Sequence, residues 1–169
     1  DRAYSPWDYA NPAVLYNSDL SIFKDVFSVP GAGHNMVIRD IDRDGRDEFF
    51  IGYSLLDSDG NTRWSIDLGP SYDYASEHAD HIAVSDLDNN GNLLVRYAGS
   101  RDFFVTDLEG SVLWSYSAGH SQRSAEGPWG PKGEKRILMS EKNMGLCALD
   151  RRGNFLWKRS DLNGYATET

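Results

Sequence analysis

One cysteine in 169 residues rules out a disulfide framework. Cys147 lies in the apolar run GLCALD, where a small buried hydrophobe is expected rather than a reactive thiol, so the redox compartment stays open. No apolar run approaches the roughly 18 residues of a membrane span, which predicts a soluble chain. Blocks of Lys or Arg are also missing. The 17 basic side chains face 26 acidic ones for a net charge of −9, a balance that argues against tracking phosphates and excludes nucleic acid as a partner. No stretch sustains helical periodicity. The opening DRAYSPWDYA shows neither an initiator methionine nor a charged-then-apolar leader and reads as mature or excerpted sequence. What is there describes an ordered globular chain: 40% hydrophobic and 12% aromatic residues, with 16 Gly and 6 Pro.

Self-similarity organises that chain. The pattern Asp-x-x-Gly-x-x-x-Trp recurs at Asp57, Gly60 and Trp64, at Asp107, Gly110 and Trp114, and at Asp150, Gly153 and Trp157. Each copy joins two β-rich runs through a polar turn whose Gly accepts a positive φ, so each is a β-hairpin. Upstream of each hairpin lies one apolar run (FFIGY, LLVRYAG, RILMS), and a further candidate strand begins near His34, His81 and His120. Four strands per unit predict an all-β fold, a β-propeller of four-stranded antiparallel blades. Residues 1–30 read as the outer half of a blade, with Phe27 in the Trp position; complete blades follow at roughly 31–69, 70–118 and 119–160. Residues 1–169 are then about three and a half blades of one propeller domain, part of a seven- or eight-bladed ring. The remaining blades would come from a longer polypeptide or from another copy.

The densest local signal is Asp40-Ile-Asp42-Arg-Asp44-Gly45-Arg46-Asp47-Glu48. Carboxylates at positions 1, 3, 5 and 9, Gly at 6 and a backbone carbonyl at 7 can wrap hard oxygen ligands around one calcium ion, as in an EF-hand loop flanked by strands. The expected ligands are Asp40, Asp42, Asp44, the carbonyl of Arg46, and Glu48. Asp86-Leu-Asp88-Asn-Asn90-Gly91 repeats the loop but has Leu94 at its ninth position, leaving a second ion near Asp86 and Asp88 open. The third copy, from Glu126, has lost the ligands and reads as a plain loop.

Aligning the blades on these acids gathers the histidines. His34 precedes Asp40 by six residues, Asp80 precedes Asp86 by six with His81 next to it, and His120 precedes Glu126 by six. His34, His78, His81 and His120 all fall where an outer strand hands over to the next inner strand, together with Asn35, Gln122 and Arg123. Groups titrating near neutrality beside an Arg suit proton transfer next to an acidic substrate. A histidine at a corner is also an ordinary packing residue. A zinc site from His34, His81 and His120 lacks the supporting helical His pair or Cys spacing. The hairpin tryptophans read as blade packing, whereas Trp129, Tyr72 and Tyr74 lie outside the repeat and are the candidates for stacking on sugars.

The run GAGHNMVIRDIDRDGRDEFFIGYSLLDSDG, with HADHIAVSDLD and GHSQ, resembles the β-propeller polysaccharide lyases of the rhamnogalacturonan lyase and rhamnose-glucuronate lyase type across most of residues 31–160. The resemblance implies a secreted, calcium-binding enzyme that cleaves the glycosidic bond beside a uronic acid in a rhamnose-containing polysaccharide. Its calcium ligands would map onto Asp40, Asp42, Asp44, the Arg46 carbonyl and Glu48. The expected reaction is β-elimination: loss of the proton α to the uronate carboxylate and expulsion of the C4 oxygen, once the carboxylate charge is neutralised. Arg123, a protonated histidine or calcium could neutralise it. His81 or His120 would be base, and a partner His, Tyr72 or Tyr74 would be acid. The competing reading is a non-catalytic, calcium-stabilised propeller that binds carbohydrate or protein. A quinone-dependent dehydrogenase is weaker, because no residues dedicated to its cofactor are evident.

Overall fold

Short strands joined by tight turns account for nearly all of the computed structural model, which describes residues 12–71, 77–141 and 145–162. They divide into two compact units, Asp1–Ala79 and Asp80–Thr169. In the first, β1 (Pro12–Tyr16) pairs antiparallel with β2 (Ile22–Ser28), and β3 (Met36–Arg39), β4 (Glu48–Ile51), β5 (Ser54–Leu56) and β6 (Thr62–Ser65) form a sheet in that order. The second unit holds two such sheets. One is β7 (Ala79–Ser85), β8 (Leu94–Gly99), β9 (Asp102–Thr106) and β10 (Val112–Ser117), its first residue being the last of the preceding unit. The other is β11 (Ser121–Gly127), β12 (Arg136–Glu141), β13 (Gly145–Asp150) and β14 (Phe155–Arg159). A 3-10 turn at Pro131–Gly133 is the only helical element among the described residues, and none is long and apolar enough to cross a membrane. Sequential four-stranded antiparallel sheets are propeller blades, so the expected all-β, partial β-propeller-like fold is the one observed.

The hairpin motif has a simple physical basis. The Asp57 carboxylate accepts the backbone N–H groups of Asp59 (3.0 Å) and Asn61 (2.7 Å). Asp107 does the same for Glu109 and Ser111, and Asp150 for Arg152 and Asn154. These bonds satisfy turn donors that no ladder reaches. The glycine three residues on has φ of 74°, 86° and 82° in the three turns, as the motif requires. The two-stranded sheet uses the same turn without the glycine: Asn17 N–H donates to the Ser21 carbonyl, Leu20 N–H to the Asn17 carbonyl, and Leu20 takes φ 67°.

That register corrects one expectation. Leu15 pairs with Lys24 as Leu55 pairs with Trp64, so Lys24 and not Phe27 occupies the Trp position of the first hairpin. The position has one role in both units. Lys24 lies over Gly60 and donates to its carbonyl, and the Trp114 ring lies over Gly153. Two of the three hairpin tryptophans pack as expected, Trp64 against Phe50 at 6.3 Å and Trp114 against Phe103 at 5.9 Å between ring centroids, whereas Trp157 is exposed.

Central strands are buried on both faces, as all six residues of β8 show. In the second unit Leu87, Phe103 and Val105 of one blade meet Ile137, Met139 and Leu149 of the next, with Cys147 fully buried among them as a small apolar residue. The first unit has a smaller core of Leu15, Val29, Ile51 and Leu56.

A Cβ added at Gly153 would lie 2.4 Å from the Trp114 ring, whereas one at Gly119, also left-handed, would meet nothing within 4 Å. Gly153→Ala therefore costs about 3 kcal/mol and Gly119→Ala about 1 kcal/mol, a difference that urea denaturation resolves.

Candidate functional site

The loop between β3 and β4 is built by its first residue. Asp40 accepts the N–H groups of Asp44 (3.2 Å) and Gly45 (3.0 Å), and Asp44 turns back to accept that of Arg46 (2.8 Å). The loop between β7 and β8 repeats the arrangement: Asp86 accepts Asn90 and Gly91, and Asn90 accepts Asn92. The Gly91 N–H, the largest influence, helps hold the Asp86 carboxyl below the usual range.

The first loop brings Asp40, Asp42 and Glu48 together, with one carboxylate oxygen of each within 4.8 Å of the others. Glu48 is buried and accepts the Ile41 N–H. Asp44 lies outside this trio. Arg63 on β6, which sequence reasoning did not single out, reaches Asp42 at 3.0 Å and Glu48 at 3.8 Å. Its guanidinium supplies part of the counter-charge that the crowded acids need. Nothing in the sequence marks it, because it is far from the loop in the chain and common on strand faces.

Chain cations recur at the equivalent places. Arg151 approaches Asp88 at 3.5 Å. Glu126, expected only to begin a plain loop, is an ion-pair node: it accepts from Ser85 (2.6 Å) and meets buried Arg96 (3.3 Å) and Lys135 (3.1 Å). Burial alone would raise its carboxyl, but the Ser85 hydroxyl and the two cations outweigh burial and hold it below the usual range.

The histidines lie at the opposite ends of the inner strands. His34, before β3, is exposed and packs edge-on against buried His78 at 5.2 Å between centroids. In the second unit His120, just before β11, places Nε2 2.9 Å from Asp80 Oδ2, a carboxylate with 3% of its side chain exposed. His81, inside β7 and buried, accepts the Ser124 N–H on Nδ1 at 3.3 Å. These partners give the two rings, when neutral, the same tautomer. His120 carries its proton on Nε2 towards Asp80, and His81 keeps its lone pair on Nδ1 and its proton on Nε2.

The other expected residues distribute unevenly. Gln122 and Arg123 start β11 beside His120, with Arg123 exposed, and Asn35 follows His34. Trp129 does not join them. It follows the far end of β11, about 20 Å of extended chain from His120, and its half-exposed ring lies over Gly127. Tyr72 and Tyr74 lie outside the described residues.

No protein-family model matches this chain, and no curated protein does. Solved structures share its fold. Rhamnogalacturonan lyase YesW is 24% identical, with 78% of this chain and 22% of that one covered at a TM-score of 0.58. The exotype rhamnogalacturonan lyase YesX is 20% identical, with 88% and 27% covered at 0.64. The V. cholerae biofilm matrix protein Bap1 is 15% identical, with 85% and 24% covered at 0.61. The chain spans about a quarter of the length of these structures.

Glu126 gives the second unit a definite pH response. A carboxyl held low in the fold contributes stability that is complete above its ordinary range and is lost as pH falls through its depressed value. Glu126→Gln is less stable near neutrality, and its melting temperature falls less between pH 5 and pH 3 than that of the parent, within about those limits.

Proposed function

We propose that this chain is a section of an extracellular polysaccharide lyase of the rhamnogalacturonan lyase type, which cleaves beside a uronic acid in a rhamnose-containing polymer by β-elimination. The observation that carries the proposal is the His120–Asp80 pair, held at 2.9 Å at the start of an inner strand, on a fold shared with rhamnogalacturonan lyases. A buried carboxylate on Nε2 leaves Nδ1 as the basic nitrogen and stabilises the imidazolium that forms when it takes a proton.

In this mechanism His120 Nδ1 removes the proton α to the uronate carboxylate. The electron pair forms the C4–C5 double bond, the C4–O bond breaks, and His81 Nε2–H protonates the leaving oxygen. Exposed Arg123 neutralises the carboxylate so that the enediolate can form. Gln122 is a candidate for the sugar hydroxyls. His34, His78 and Asn35 belong to the first unit, and this chemistry does not need them. Blades beyond these, completing a ring of seven or eight, come from the rest of the polypeptide or another copy.

Calcium fits the first acidic loop: Asp40, Asp42 and Glu48 converge as hard oxygen donors, with Arg63 sharing their charge. The ion would relieve like-charge repulsion and lock the loop. In this reading calcium serves the blade that holds the loop, and carboxylate neutralisation is the role of Arg123. Calcium raises the melting temperature of the parent, and Glu48→Gln abolishes most of that rise; an equal rise in both would remove this assignment.

The likeness to Bap1, described as a biofilm matrix protein, favours a second reading as a non-catalytic, calcium-stabilised binding propeller. Ultraviolet absorbance of the unsaturated product separates the two. With the full-length polypeptide and rhamnogalacturonan, absorbance grows, and His120→Ala lowers the rate by about a thousandfold. Asp80→Asn lowers it by about a hundredfold or more with the fold intact, because the amide no longer enforces the productive tautomer. Absence of product from rhamnogalacturonan, gum arabic and ulvan by folded protein establishes the second reading.

A further inference from the structure

We infer that a shallow pocket of the first unit, between the Asn17–Ser21 turn and the first acidic loop, is a binding subsite for a neutral sugar. The pocket has a volume of about 320 Å³ and includes Tyr16, Phe23 and Phe49 together with Asn17, Arg46 and Asp47. That volume lies at the small end of ligand sites and suits one or two pyranose rings rather than a long chain. Tyr16 is 59% and Phe23 40% exposed, an unusual outlay of aromatic surface beside a strongly charged loop.

A pyranose has an apolar C–H face and a rim of hydroxyls. The aromatic rings match the first; the Asn17 amide, the Asp47 carboxylate and the Arg46 guanidinium match the second, offering donors and acceptors side by side. Charge then selects among sugars. Arg46 is already paired with Asp59 across the hairpin turn, and Asp44 and Asp47 flank it in the loop. The local field is negative, so a uronate meets net repulsion that a neutral or deoxy sugar escapes. The pocket sits at the end of β3 away from His34. It uses none of the residues of the elimination chemistry and stands whether or not the chain belongs to an enzyme.

The test places a single 4-fluorophenylalanine at position 23 of the full-length protein and follows it by fluorine NMR. Methyl α-L-rhamnopyranoside shifts the resonance in a saturable way, and the uronate probe methyl α-D-galactopyranosiduronate needs about tenfold more ligand for the same shift. Tyr16→Ala weakens the rhamnoside by about tenfold, the scale of one stacked ring, while Tyr16→Trp keeps it. No shift with millimolar rhamnoside, a uronate that binds as well as the rhamnoside, or an unchanged affinity in folded Tyr16→Ala would each overturn the inference.

Discussion

A carboxylate folded back onto the backbone of its own turn is the interaction from which the rest of this structure follows. Asp57, Asp107 and Asp150 each take two amide hydrogens that no strand can reach, which fixes where each outer hairpin reverses and hence its register. Register decides that the eighth position of the motif faces the neighbouring turn, where Trp114 and Lys24 lie over a glycine. Asp40 and Asp86 use the same device one loop earlier, each accepting from the residues four and five ahead. Five acids are thereby occupied as turn acceptors, whatever else they do.

Once the acids are organised this way, their charge must be answered, and each blade answers it differently. The first loop gathers Asp40, Asp42 and Glu48 under Arg63. The second has lost the Glu48 equivalent to Leu94, which is buried, and Arg151 comes to Asp88 from the next blade. At the third, Glu126 is enclosed by Arg96 and Lys135, so protein cations take over entirely. The series runs from a loop with oxygen donors to spare to one sealed by ion pairs, on a single backbone scaffold.

Much of this was legible in the sequence, because repeats expose spacing. Three copies of Asp-x-x-Gly-x-x-x-Trp announced the hairpins, and the apolar runs between them announced the central strands. Where the copy was imperfect, legibility failed. Leu20 stands in for glycine, so the first hairpin was aligned on Phe27, three residues from its true equivalent Lys24. The site was partly readable. Histidines at a common offset marked the corner, but Asp80 was visible only as an aligned acid, and its contact with His120 joins residues forty apart. Arg63 and Lys135 gave no local signal, since a cation's partner is set by strand neighbours and not by sequence neighbours. Trp129, a candidate for stacking on sugars, lies beyond the far end of β11 from His120, and the sequence cannot tell which end of a strand a loop leaves.

The residue over each turn glycine has a mechanical meaning as well. In both units a hairpin is finished by a side chain from the blade before it, Lys24 over Gly60 and Trp114 over Gly153. Such coupling behaves like a one-dimensional chain of neighbours, in which the stability of one element is partly lent by the last. Within a unit, fraying of the earlier sheet uncovers the later turn, whereas fraying of the later sheet leaves the earlier turn covered. Unfolding in each unit therefore has a direction, running with the sequence.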